Sequence, residues 1–349
     1  MIVINDVKPE IYKQISELVE SGHYPSAEVF VEVAVNNQLL LEKSSNYTRK
    51  EMEPTRAGYN STLSNNTVLR NIEEKPITIN PIEINQERNS LPMWGLINRF
   101  TPSKIILRSL ANMLSSEKRD AINFKEFSEK MAGEALKIRA QLEKFEKRSD
   151  VTRGESFKMG FPTKDAKSQQ RFIDIFIGRL RSDNTVGGIL GELEFAVVKK
   201  VQNGNAPISV IGITDYGLRF AQLHSPIIDD LILNQQPISS PLSDEEVNFL
   251  LNHIKTVRSE DFRFLSFLYR SVKEGITSPQ ELSKVVLKYF DKNKLSETFI
   301  NSFQAGAMAR LVEMRLIRIE KHGIYSSYRA ESSKIDFDNL LSATAISNN

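Results

Sequence analysis

Twelve Lys or Arg residues against six Asp or Glu lie between positions 137 and 181, and five against two between Gly306 and Arg329. Such local excesses of cations suit phosphate, because each contact to a polyanion releases condensed counterions. The bland counterpart is a solvated helical face of mixed charge. The side chains that would make a phosphate-facing surface are Lys164, Lys167, Arg171, Arg179 and Arg181, with Lys199 and Lys200 just beyond. In the second stretch they are Arg310, Arg315, Arg318, Lys321 and Arg329, with Asn301 and Gln304 just before it. Net charge is only +2, so any such surface is a patch rather than a property of the whole molecule.

Signals for catalysis are thin. The four histidines, His23, His224, His253 and His322, fall in four separate segments with no helical metal-ligand spacing. Glu192 and Glu194 precede Lys199 and Lys200, but not at a spacing that pairs a carboxylate with a lysine for hydrolysis. There is no phosphate-binding loop, dinucleotide fingerprint or nucleophile elbow. The absence of cysteine excludes disulfides, thiolate chemistry and cysteine-ligated metal. The expectation is a chain that is not an enzyme and uses no cofactor or metal. No apolar run approaches the roughly eighteen residues of a membrane span, and the first residues lack the pattern of an export signal, so a cytoplasmic protein is expected.

The elements that must position these cations are mostly helical. Periodicity predicts helices over Ser103–Leu114, Phe124–Lys147, Gln169–Arg181 and Thr185–Glu194. Strands at Phe195–Lys200 and Ile208–Ile213 then flank an Asn203-Gly204 turn, the signature of a hairpin, and a helix resumes at Thr214–Ala221. Farther on, helices at 244–256, 260–273, 279–290 and 296–314 lead into strands at Leu316–Glu320 and Ile324–Arg329. Two capping motifs, Ser243 with Glu246 and Ser278 with Glu281, fix helix starts. Residues 44–91, rich in Asn, Ser, Thr and Glu and broken by prolines, read as a flexible linker. Within it Ile77, Ile79, Ile82 and Ile84 belong either to an extended tether or to an arm that docks on the body or a partner. The tail, 331–349, is polar and either frays or docks through Ile335, Phe337, Leu340 and Leu341.

Residues 1–43 read as a strand at Met1–Asp6, a helix at Pro9–Ser21, a turn through Gly22 to Ser26 and a second helix at Ala27–Leu41. The second helix is apolar over much of its circumference, more than so short a unit can bury alone, so a second copy of the chain is the economical cover. This order resembles the ribbon-helix-helix family of dimeric DNA-binding proteins. The resemblance implies a homodimer through Val3, Ile11, Ile15, Leu18, Phe30, Ala34 and Val35, with a ribbon that offers only Asn5 or Asp6 to bases.

Helices followed by a hairpin, found at 92–240 and again at 241–330, resemble winged-helix domains. That implies duplex DNA as partner, with the helix before each hairpin and the hairpin tip in contact with it. The expected fold class is therefore mainly α with short β-hairpins: a dimerisation unit, a linker, two winged-helix-like domains and a polar tail. A transcriptional regulator is the leading expectation. A non-catalytic adaptor that dimerises and grips protein partners through linker or tail is the alternative. Phe30→Asp is expected to convert the dimer to a monomer by placing a charge in the shared core, as read by light scattering; a surviving dimer places the contact elsewhere.

Overall fold

The computed structural model divides into two units, Met1–Leu63 and Ser64–Asn349. Of the first, only Ser16 is described; of the second, residues 69–81, 90–147, 156–180, 186–203, 206–290, 295–322 and 325–331. The seven expected dimerisation residues, Arg181, the Gly204-Asn205 tip and the tail from 332 lie outside the described residues, as do the side chains of Lys321 and His322.

The second unit is mainly helical, with three small antiparallel sheets among the described residues. It begins with α1 (Thr101–Glu117), β1 (Ile122–Asn123) and α2 (Phe124–Glu146). α3 (Ala166–Phe172) runs on into a π-helical turn, Ile173–Ile177. A ribbon of β2 (Arg179–Leu180) and β3 (Val186–Gly187) and a single turn, α4 (Ile189–Glu192), come before the hairpin of β4 (Ala196–Asn203) and β5 (Ala206–Ile213). Then follow α5 (Asp215–Gln222) and a π-helical stretch, Pro226–Leu233. The last part is α6 (Asp244–Val257), α7 (Ser259–Lys273), α8 (Pro279–Tyr289), α9 (Glu297–Glu313) and the hairpin of β6 (Ile317–His322) and β7 (Tyr325–Ala330).

A related order occurs in two sets, three helices and a hairpin each: α1, α2, α3 with β4–β5, where the β2–β3 ribbon and α4 intervene before the hairpin, and α7, α8, α9 with β6–β7. β1, after α1, pairs with β5, giving the sheet order β1-β5-β4. In the later part, the Thr277 carbonyl, between α7 and α8, accepts the Tyr328 N–H of β7 at 2.8 Å. Each time, the second strand of a hairpin is flanked by the segment that follows the first helix of the set.

Two expectations need correction. Thr185–Glu194 is not a helix: β3 takes its start and only Ile189–Glu192 winds, because the backbone of Val186 and Gly187 pairs with β2 instead. The helix that packs on α1 and α2 is the α3–π run, which stops at Gly178. Residues 69–81, within the expected linker, are docked. Leu69 and Pro76 are buried, the Asn71 side chain accepts from Arg108 at 3.1 Å, and the Ile79 N–H donates to Ile213 at 2.9 Å. The Ile79 side chain occupies the space above Gly212 that a Cβ there would need.

Regions 92–240 and 241–330 share one continuous apolar core. Its axis is α1, on which every residue from Thr101 to Ala111 is buried, so no side of its first three turns meets solvent. That face-independent burial includes Lys104 and Arg108, and buried charge is tolerated only when paired. Lys104 lies 3.1 Å from Glu246 of α6 and donates to the Phe220 and Leu223 carbonyls. Arg108 meets both Asp229 carboxylate oxygens, at 3.0 and 3.2 Å. Arg258 pairs with Glu192 at 3.2 Å.

At the start of α1, the Glu313 carboxylate of α9 accepts the Phe100 and Thr101 N–H groups and the Thr101 hydroxyl. These are donors a helix start leaves unsatisfied. Beside it, Arg310 pairs with Asp261 of α7 at 2.6 Å and donates to the Ile97 carbonyl. Asp261 also accepts the Met93 N–H at 2.9 Å. α9 approaches this segment so closely that a Cβ on Gly306 would strike the Gly95 backbone.

Removing one partner of a fully buried pair leaves the other uncompensated, at a cost of about 3–5 kcal/mol. Asp261→Ala is therefore expected to lower the stability of the body by that amount, read as a lower urea midpoint. Asp261→Leu with Arg310→Met should recover much of it. A midpoint unmoved by Asp261→Ala would show that Arg310 does not depend on the pair.

Candidate nucleic-acid interface

α3 starts where the Asp165 carboxylate accepts the Ser168 N–H at 2.9 Å, an N-cap that fixes its first turn. Phe172 anchors the inner face between Phe161 and Phe176, with ring centroids 6.5 and 5.6 Å away. With Phe172 inward, Lys167 and Arg171, at i and i+4, fall on one outer stripe of α3, and Lys164 stands just before the Asp165 cap; all three are exposed. None pairs with a carboxylate among the described residues, and neither does Arg179, exposed on the adjoining ribbon. Other cations of the same stretch are structural. Arg139 holds the Phe161 carbonyl at 2.9 Å and Glu143 at 3.1 Å, and Lys158 pairs with Glu146 at 3.3 Å.

Lys199 is half-buried and Lys200 exposed on β4. Successive residues of a strand face opposite sides, so the two lysines do not follow one phosphate strand together. Pairing of Asn203 with Ala206 takes Asn203 into β4, so the hairpin closes one residue beyond the expected Asn203-Gly204 turn.

The later region departs further from expectation. Arg310, named as a contact residue, is wholly buried against Asp261 and cannot reach a ligand. Gln304 is buried too, its side-chain oxygen accepting from the Ser283 hydroxyl of α8 at 3.1 Å. Both lie on inward faces of α9 because this helix is packed on two sides, by its own hairpin and core and by the 93–101 segment. Arg318 is exposed but pairs with Glu320 at 2.6 Å and Glu331 at 3.0 Å, and Arg329 meets Glu320 at 3.4 Å. The Arg318 hydrogen bond holds the Glu320 carboxyl below the usual range, so this hairpin carries its own counter-charge. Asn301 and Arg315 remain exposed.

Sequence reasoning missed Lys284 and Lys288, exposed on the outer face of α8 and without a carboxylate partner among the described residues. The signal was present. Leu282, Val285, Val286 and Tyr289 mark the apolar side of that helix, and positions 284 and 288 fall opposite. The signal for Arg310 was subtler: it ends the run Ala305-Gly306-Ala307-Met308-Ala309, whose small residues mark a close backbone approach.

Glu192 is committed to Arg258. Among the described residues no cluster of His, Asp and Glu could hold a metal, and no helix is long and apolar enough to cross a membrane. No family model matches the chain, and neither does any curated protein or solved structure.

His253 of α6 sits in an aromatic stack with Phe195, Phe249 and Tyr216, at centroid distances of 4.9, 5.7 and 4.7 Å. Its Nε2–H donates to the Leu193 carbonyl at 2.6 Å. Burial pulls the imidazole below its ordinary value of 6.5. The unfolded chain then binds a proton that the folded chain refuses, so stability falls as pH drops below 6.5. His253→Phe keeps the stack and removes that term. Between pH 7.5 and 5.5 its urea midpoint is expected to fall less than that of the parent protein, with a pH-independent loss of about 1 kcal/mol from the unpaired carbonyl. Equal falls in both proteins would assign the pH dependence to other groups.

Proposed function

We propose that this chain is a non-enzymatic, dimeric, duplex-DNA-binding protein that acts as a regulator of transcription, with two winged-helix-like regions built into one body. The observation that carries this reading is the exposed cation set of Lys167 and Arg171 on α3 with Lys164 just before it, unpaired with any carboxylate among the described residues. It lies on the third helix of a set whose hairpin and edge strand take the order β1-β5-β4. That is where a winged helix turns toward nucleic acid, and a row of free cations there suits the phosphate backbone. Dimerisation through residues 1–43 remains part of the proposal on the strength of the sequence alone, as does a cytoplasmic setting.

The adaptor reading has its own support. Trp94 and Phe299 are 46% and 39% exposed, large apolar groups of the kind that protein partners cover, and the second hairpin neutralises its own arginines.

Duplex binding measured across a salt series tests the proposal. Affinity is expected to fall steeply with salt, and Lys167→Ala with Arg171→Ala should lower the slope of log K against log salt by about 2. An unchanged slope overturns the α3 assignment. No duplex binding at low salt, together with a stable heteromeric complex from the native host, would establish the adaptor instead.

A further inference from the structure

The 93–101 segment runs along one stripe of α9 and stops short of its end. Glu313 holds the Phe100 and Thr101 N–H groups, the Ala309 carbonyl accepts from Arg99, and Gly95 lies against the Gly306 and Ser302 backbones. Positions 302, 306, 309 and 313 repeat at helical spacing, and the next position of that stripe toward the amino terminus is Phe299. Phe299 is left uncovered because the chain turns away from α9 at Met93. There the Met93 N–H donates to Asp261 and the Leu91 carbonyl accepts from Arg258, both at the start of α7. Trp94, at the point of departure, and Phe299, one turn before Ser302, are therefore neighbouring aromatic groups on one surface, 46% and 39% exposed. Edge-on packing against Phe303 holds the Phe299 ring in place.

Two properties of this surface select its occupant. Its exposed aromatic area is on the order of 200 Å², against roughly 800 Å² per partner in a stable complex. A free protein gains too little from it, whereas a partner already held nearby at about millimolar local concentration can be retained by a contact of that size. The second property is charge. After Glu297 the exposed positions of α9 are Thr298, Phe299, Asn301 and Ala305, none of them charged. Two such faces meet without opposing like charges. The Lys167 and Arg171 face of α3, or the Lys284 and Lys288 face of α8, would set cation against cation. A second copy of this chain, joined through residues 1–43, meets both conditions.

We infer that Trp94 and Phe299 form a two-fold contact between the bodies of two chains, each patch packed on its own counterpart. The aromatic groups are its anchors and the neutral side chains of α9 its rim. The inference rests on the dimer reading above and adds a second interface, one that fixes how the two bodies stand.

The sequence supplies two clean probes, since it has one tryptophan, Trp94, and no cysteine. In the full chain Trp94 is expected to emit at short wavelength and to be shielded from acrylamide. Phe30→Asp, which parts the dimer, should shift that emission to longer wavelength and open it to the quencher. Thr298→Cys, a sole thiol beside the patch, is expected to link two chains through a short bismaleimide. Adding Phe299→Ser should abolish the link while light scattering still gives a dimer. A dimer that Thr298→Cys does not link, or a link that survives Phe299→Ser, overturns the inference and leaves the dimer reading standing. Equal linking from Asn248→Cys, exposed on α6, marks random collision and overturns it too. So does Trp94 emission that is the same in dimer and monomer, the result expected if the chain's own tail covers the patch or nothing does. If the parent chain is a monomer by light scattering, the dimer reading falls and this contact with it.

Discussion

The whole body is organised by a constraint on α1: a helix enclosed on every side cannot keep two cations unless anions come to them. Lys104 and Arg108, one turn apart, are met by Glu246 and Asp229, and the start of the helix is met by Glu313. Those three carboxylates come from α6, the π-helical stretch and α9, so satisfying α1 fixes the positions of three elements distant in sequence. Burial pulls Lys104 down to about 8 even with Glu246 beside it pushing the other way. The arrangement favours uniqueness over strength, since each of these charges is satisfied only when its one carboxylate and the carbonyls around it are all in register.

From this follows the asymmetry between the two repeated sets of elements. In the earlier set the third helix packs inward through Phe172 and leaves its cations outside. In the later set the third helix is a structural member, clamped along its second half by a segment that precedes α1. Two regions with a related order of elements therefore present different chemistry: cations on one, a neutral amide and methyl groups on the other. The order of elements alone would have assigned them the same role.

Local signals were legible in the sequence and long-range ones were not. The four late helices and both hairpins fall close to their expected positions because caps and apolar spacing are local properties. Ser243 and Glu246 form the capping box their spacing announced. The same Glu246 is also the partner of Lys104, a contact across more than a hundred residues that no local pattern encodes. Thr185–Glu194 was misread because its apolar residues, Val186, Ile189, Leu190 and Leu193, suit a helix, whereas pairing with β2 takes its first residues into a strand. At the site, exposed cations on α3 could be read from spacing. The burial of Arg310 was signalled only by the small-residue run before it, which marks a close backbone approach without saying that the arginine faces Asp261.

The arm across residues 69–81 redraws where the fold begins. Asn71 completes the set of acceptors around the Arg108 guanidinium, and the Arg70 carbonyl accepts from Asn112 at 2.8 Å. A fragment that began at Leu91, at the foot of the helical region, would retain α1 to α9 yet leave a buried guanidinium short of one ligand and the Gly212 backbone without its isoleucine cover. The folding unit and the helical region are thus different lengths of chain, and the arm is its first element rather than the end of a tether.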